Sequence, residues 1–158
     1  MKPKLSVITV HYKNKKVLNN CLKSIKKNLK IKHEVIVVDN DKDNIGFGAG
    51  CNKGAKLAQA NYLLFLNPDT LLLPNSIKPL INYLEKNIKT AAVAPLLLDS
   101  KQKPYPIQGT STLTPLKAIF GLSFINKLWP NNPISKKYWV NIENKTKQIP
   151  VKVLPGSA

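Results

Sequence analysis

Leu5 to Val10 is a short, mostly apolar run, which predicts a strand. Val17, Leu18, Cys21, Leu22, Ile25 and Leu29 then recur at helical spacing, with Lys15, Lys16, Lys23, Lys26, Lys27 and Lys30 on the other face, so an amphipathic helix follows. Glu34 to Val38 is a β-branched run without polar alternation, as expected of a parallel strand buried on both faces, and it ends at Asp39-Asn40. A polar, glycine-rich loop from Asp41 to Gly50 leads into a short helix over Cys51 to Ala60, and Tyr62 to Leu66 forms a third buried strand ending in Asn67-Pro68-Asp69-Thr70. After Pro74, the residues Ile77, Leu80, Ile81, Leu84 and Ile88 mark another helix, with Asn75 as N-cap and Pro79 tolerated in the first turn. Ala91 to Leu98 supplies a fourth strand.

This alternation predicts an α/β fold with an open, mostly parallel sheet and right-handed crossovers, which binds ligands beyond the carboxyl ends of its strands. Three segments deliver polar groups to that edge: His11-Tyr12, Asp39-Asn40 and Asn67-Pro68-Asp69. From Asp99 onward the rhythm is lost, and eight of the twelve prolines lie between Pro95 and Pro155. That half holds a helix from Pro115 to Leu128, capped by Thr114, and a last short strand, Val151 to Leu154. We therefore expect a core over 1–98 and an irregular continuation of the same domain over 99–158. With no helix after the last strand, the domain reads as truncated.

Length and composition agree with a folded domain: 158 residues, 43% hydrophobic, with two cysteines, which excludes disordered and disulfide-scaffold classes. No apolar run approaches the roughly 18 residues of a membrane span, and the start has no signal-peptide layout, so a cytoplasmic location with reduced thiols is expected. The net charge of +17 points to an anionic partner, yet every basic residue is lysine. The absence of arginine argues against specific nucleic-acid reading. Compositional bias explains the lysine excess as readily as function does, since asparagine and isoleucine are also abundant.

The loop from Asn44 to Gly54 carries Gly46, Gly48, Gly50 and Gly54, and backbone amides there could approach a phosphate at a helix N-terminus; a flexible turn is the plainer alternative. It is not a P-loop, because Gly54 follows Lys53. It also departs from a dinucleotide fingerprint, with Cys51 at the third glycine position and the loop starting well after Val38. Asp69 follows its strand through a proline, suited to a divalent cation or to a simple turn; Asp39 could contact a ribose or cap a turn. Two carboxylates and a glycine loop together make a nucleotide-diphosphate site.

Leu5-Ser-Val-Ile-Thr-Val-His-Tyr-Lys-Asn14, Glu34-Val-Ile-Val-Val-Asp-Asn40, Asn44-Ile-Gly-Phe-Gly-Ala-Gly-Cys-Asn-Lys-Gly54 and Tyr62-Leu-Leu-Phe-Leu-Asn-Pro-Asp-Thr70 resemble the successive motifs of family 2 glycosyltransferases. The likeness covers about residues 4 to 98, and its Asn-Pro-Asp segment is most similar to the rhamnosyltransferase-type branch that builds bacterial cell-surface polysaccharides. It implies a GT-A (Rossmann-like) fold, a dTDP- or UDP-linked sugar donor, a divalent cation (Mg or Mn) and a glycan or polyprenyl-linked acceptor. By position, Tyr12 and Asp39 would contact the nucleoside. Asn44, Gly46, Gly48, Asn52 and Asn67 would lie near ribose and diphosphate, and Asp69 would bind the metal. Asn67 stands where many members carry the first aspartate of an Asp-x-Asp pair. The implied reaction is an inverting transfer whose general base follows a segment like Pro155 to Ala158, so the chain itself is expected to be inactive. Glu34, Asp41, Asp43, Glu85, Asp99 and Glu143 have no positional claim to that role.

Two further classes stay open at this level: an NAD-dependent Rossmann oxidoreductase, and a basic module for RNA or membrane. Leu116, Ile119, Phe120, Phe124, Ile125 and Leu128, beside Lys117, Lys127 and Trp129, read either as a core helix or as an interfacial helix on an anionic membrane.

Overall fold

β1 (Leu5–His11) is buried at every position and forms the centre of a three-stranded parallel sheet in the order β2-β1-β3, with β2 at His33–Asp39 and β3 at Tyr62–Phe65. The computed structural model describes residues 2–105, 107–130, 132–141 and 148–154, which fall into two compact units, one up to Ala92 and one from Val93 onward. The expected α/β class with an open parallel sheet is present in the first unit, but β2 and β3 are not the buried strands expected: they flank β1 at the sheet's edges and leave Val35, Val37, Leu63 and Phe65 exposed.

Successive side chains of a strand point to opposite faces, and β1 packs against helices on both faces in this way. On one face Leu5 and Val7 join Cys21, Ile25 and Leu29 with Leu66, Leu72, Ile77 and Ile81; Cys21 and Ile25 come from α1 (Lys15–Asn28) and Ile81 from α3 (Lys78–Lys86). On the other face Ile8 and Val10 meet α2 (Phe47–Leu57) at its two buried glycines. α1 starts where Asn14 Oδ1 accepts from the Val17 amide at 3.2 Å, and Lys26 and Lys27 in its last turn complement the helix dipole.

α2 begins at Phe47, inside the loop expected to continue to Gly50, because Gly46 turns the chain with a φ of 84°. α3 begins at Lys78. Asn75 is not its N-cap, since it takes a left-handed φ of 59° and Ile77 occupies the cap. Pro79 does fall in the first turn. No strand forms over Ala91 to Leu98; its one ladder contact is an antiparallel bridge from Leu98 to Pro104.

The second unit pairs β4 (Ile107–Thr110) with β5 (Trp139–Asn141) in antiparallel fashion, and carries α4 (Pro115–Leu122), α5 (Phe124–Leu128) and α6 (Pro133–Tyr138). The single helix expected over Pro115 to Leu128 is therefore two. Ser123 ends the first by donating its hydroxyl to the Ile119 carbonyl, and starts the second by accepting from the Ile125 amide at 3.2 Å. The expected strand over Val151 to Leu154 is reduced to a bridge between Val153 and Thr110. No helix among the described residues is long and apolar enough to cross a membrane.

Candidate functional site at the carboxyl edge of the sheet

His11 pairs with Asp39 in the parallel register, so Tyr12 and Asp39 emerge from neighbouring strands at one edge, and the Asn40 amide extends the ladder to the His11 carbonyl at 2.9 Å. Tyr12 is 45% exposed, with Lys13 Nζ 4.7 Å from its ring centroid. Lys13 itself has a φ of 61° at the centre of a tight turn closed by the Asn14 amide on the Tyr12 carbonyl at 2.8 Å. A lysine takes this conformation only where its surroundings enforce it. Asp41 is the enforcing group. Its Oδ1 accepts from the Lys13 amide and its Oδ2 lies 3.6 Å from Nε2 of buried His11, whose ring nitrogens have no hydrogen-bond partner among the described residues. Asp39 Oδ1 in turn accepts from the Asp41 amide at 2.8 Å. Sequence reasoning passed over Asp41. The signal for it is its place as the third polar residue after Val38, directly following Asp39 and Asn40.

In the glycine loop Asn44 Oδ1 accepts from the Gly46 amide at 3.1 Å, and buried Asn40 donates through Nδ2 to the Gly46 carbonyl at 3.4 Å. These bonds aim the start of α2, whose first-turn amides receive no side-chain cap. The glycines have separate roles. A Cβ on Gly48 would meet nothing within 4 Å, whereas one on Gly50 would lie 2.7 Å from Val10 Cγ1 and one on Gly54 would collide with Ile8 Cγ2. Gly50 and Gly54 thus bring α2 against β1, and Gly46 and Gly48 leave its N-terminus open. Asn52 is exposed on the same helix.

The Leu66 amide still bonds to the Ile8 carbonyl at 2.9 Å, and the chain then turns over Asn67 to Thr70, closed by the Thr70 amide on the Asn67 carbonyl at 3.1 Å. α1 holds this segment through three polar groups at helical spacing. Cys21 Sγ donates to the Asn67 carbonyl at 3.8 Å, Ser24 Oγ accepts from the Leu72 amide at 3.0 Å, and Asn28 Nδ2 donates to the Leu72 carbonyl at 2.6 Å. Burial, and then the nearby Asp69 charge, pushes the Cys21 thiol from 9.0 up to about 11, so it remains a protonated donor at neutral pH. Asp69 is exposed in this turn, with Asn67 half-buried beside it.

All of the sequence-predicted site residues, Tyr12, Asp39, Asn44, Gly46, Gly48, Asn52, Asn67 and Asp69, lie in the first unit, on segments that leave the strands' carboxyl ends. Four of the chain's eight acidic residues, Asp39, Asp41, Asp43 and Asp69, are on these segments as well. Among the described residues no three or more His, Cys, Asp or Glu groups converge as a metal cage. A hollow of about 140 Å³ lined by residues such as Asn28, Lys30, Asn75 and Lys78 lies at the other end of α1, away from this edge. Glu143 and the segment Pro155 to Ala158 are outside the described residues.

A parallel α/β sheet with a helix N-terminus and carboxylates at its carboxyl edge is the arrangement of the Rossmann-like, GT-A class. The sequence pattern of glycosyl transferase family 2 matches residues 40–135, more than half of the chain, and the chain belongs to that family. It is accordingly a glycosyltransferase in general class, with a nucleotide-sugar donor and an acceptor as partners. No curated protein matches the chain. The family match opens at Asn40, so it covers the glycine loop and Asp69, while Tyr12 and Asp39 lie before it.

Proposed function

We propose that the carboxyl edge binds a dTDP- or UDP-linked sugar, that a divalent cation (Mg or Mn) joins at Asp69, and that the sugar passes with inversion to a cell-surface glycan or lipid-linked acceptor, as in the rhamnosyltransferase-type branch. The observation that carries this reading is the delivery of three strand ends and half of all carboxylates to one edge of a chain with a net charge of +17. Tyr12 offers an aromatic face to the base, Asp39 an acceptor to the ribose hydroxyls, and the α2 amides donors to the diphosphate. One exposed carboxylate is a poor metal site by itself but fits Mg, which binds through one or two carboxylates together with substrate phosphates. Such a cation would offset the charge of the departing diphosphate.

The same reading makes the chain a donor binder without turnover of its own. Among the described residues Glu34 is held by Ser6 and the Gln59 amide, Glu85 by Lys4, and Asp99 by the Lys101 and Lys103 amides. Each of these is engaged in holding the fold rather than presented at the carboxyl edge. The nicotinamide alternative is weaker, because a dinucleotide fingerprint places its glycines directly after the first strand, and these follow β2.

Calorimetry with UDP and dTDP, with Mg or Mn and with chelator, tests the assignment. Affinity should rise with metal in the wild type and lose that dependence in Asp69→Ala. Asp39→Asn should weaken binding by about 1–2 kcal/mol without unfolding the chain. Equal affinity with metal and with chelator, or preference for NAD, would overturn the reading.

A further inference from the structure

One side of α4 and the exposed Phe124 and Leu128 of α5 form an apolar surface left uncovered among the described residues. On α4, Gly121 is buried against the Tyr138 ring of α6, while Leu116, Ile119 and Leu122, three residues apart, are each about half exposed on the opposite side. The patch continues through Phe124, Leu128 and Trp129, exposed by 68%, 79% and 54%. Phe120 and Ile125, which the sequence pattern places on the same apolar face, are half-buried and contribute less. Large exposed aliphatic and aromatic side chains in one continuous segment mark an interaction surface.

Charge selects the occupant. Between Val93 and Ser157 there are nine lysines against Asp99 and Glu143. Lys127 lies within the patch's own segment, while Lys136 and Lys137 are exposed on α6, which packs on the other side of α4 and so adds to the charge of the unit. A second copy of the chain would bring like charge to like charge. A nucleic acid would use the lysines but has no place for a leucine and isoleucine row. A lipid surface with anionic headgroups uses both, Lys127 and the unit's net positive charge towards the phosphates and the apolar row below them, with tryptophan favoured at the boundary.

We propose that α4 and α5 dock this protein peripherally on an anionic membrane. The proposal is independent of the donor reading, since the assay requires neither nucleotide nor turnover. The full chain is floated with vesicles of phosphatidylcholine alone and of phosphatidylcholine mixed with phosphatidylglycerol, at low and at high salt. The wild type should bind the anionic vesicles, release at high salt, and show a blue-shifted emission that Trp129→Phe removes. Leu116→Ser/Ile119→Ser/Leu122→Ser, which alters exposed positions only, should retain the wild-type circular dichroism and lose more than about tenfold in binding. Lys127→Glu/Lys136→Glu/Lys137→Glu provides a second variant that leaves the apolar row intact and should weaken binding to anionic vesicles. Undiminished binding by both folded variants would overturn the proposal. So would a concentration-dependent dimer abolished by the serine variant, or RNA binding without lipid binding.

Discussion

Single residues at the carboxyl edge divide between holding the backbone and leaving space for a ligand. Asp41 belongs to the first group, because one carboxylate fixes the left-handed Lys13 and faces the buried His11. The glycines of α2 belong to both. Gly48→Ala adds a methyl into open space and should leave the melting temperature unchanged or slightly higher, while reducing nucleotide affinity in calorimetry. Gly50→Ala places a Cβ 2.7 Å from Val10 Cγ1 and should cost about 1–3 kcal/mol in urea unfolding. Equal destabilisation by the two would show that Gly48 also has a packing role.

At the scale of elements, one polar clasp ties β1, β2 and the segment before β3 together. Ser6 Oγ donates to Glu34 Oε1 at 2.6 Å and accepts from the Ala60 amide at 3.1 Å, while the Gln59 amide donates to the same Glu34 oxygen at 2.7 Å. The Ser6 hydroxyl first, and then the Gln59 amide, holds the Glu34 carboxyl below its ordinary value of 4.5. A carboxyl with a lowered folded-state pKa favours the folded state above the unfolded value, and that contribution disappears as pH falls through the folded one. Stability should therefore decline below pH 4.5, and Glu34→Gln should flatten this part of the acid limb in a series of thermal melts. An unchanged acid limb would make the clasp energetically neutral. Ser6 and Glu34 face each other because the parallel register pairs them, a relation that strand prediction alone does not supply.

For the whole molecule, twenty-five lysines against eight acidic residues make self-repulsion a global term. The Lys4–Glu85 pair, 2.7 Å apart between exposed side chains, offsets little of it. Salt should raise the melting temperature by a few degrees, the shift that about 1 kcal/mol produces in a chain of this size. Scanning calorimetry across sodium chloride concentrations checks this, and a flat or falling curve would mean that the lysines are spread too widely to repel. The membrane surface proposed on α4 and α5 predicts the opposite salt response for vesicle binding, so the two effects can be separated on one sample.

The α/β class, the three parallel strands and α1 were legible in the sequence because short β-branched and apolar runs between polar turns mark strands and an amphipathic helix repeats its apolar positions every three or four residues, whereas burial was not, since only β1 is buried throughout. The carboxyl-edge residues were legible for the same reason, as polar groups placed where such runs stop. Tertiary structure decided what the local pattern could not encode. Ala91 to Leu98 has strand-like composition but pairs only through the single bridge from Leu98 to Pro104, and one bridge does not make a strand. Ser123 broke an apolar helix pattern by exchanging hydrogen bonds with both of its neighbours, a competition that periodicity does not register. Gly50 and Gly54 looked like phosphate-binding glycines until the approach of α2 to β1 gave them a packing role. Asp41, Cys21, Ser24 and Asn28 acquired theirs from backbone groups far away in the chain, and such pairings exist only once the sheet and α1 have brought those groups within hydrogen-bond distance.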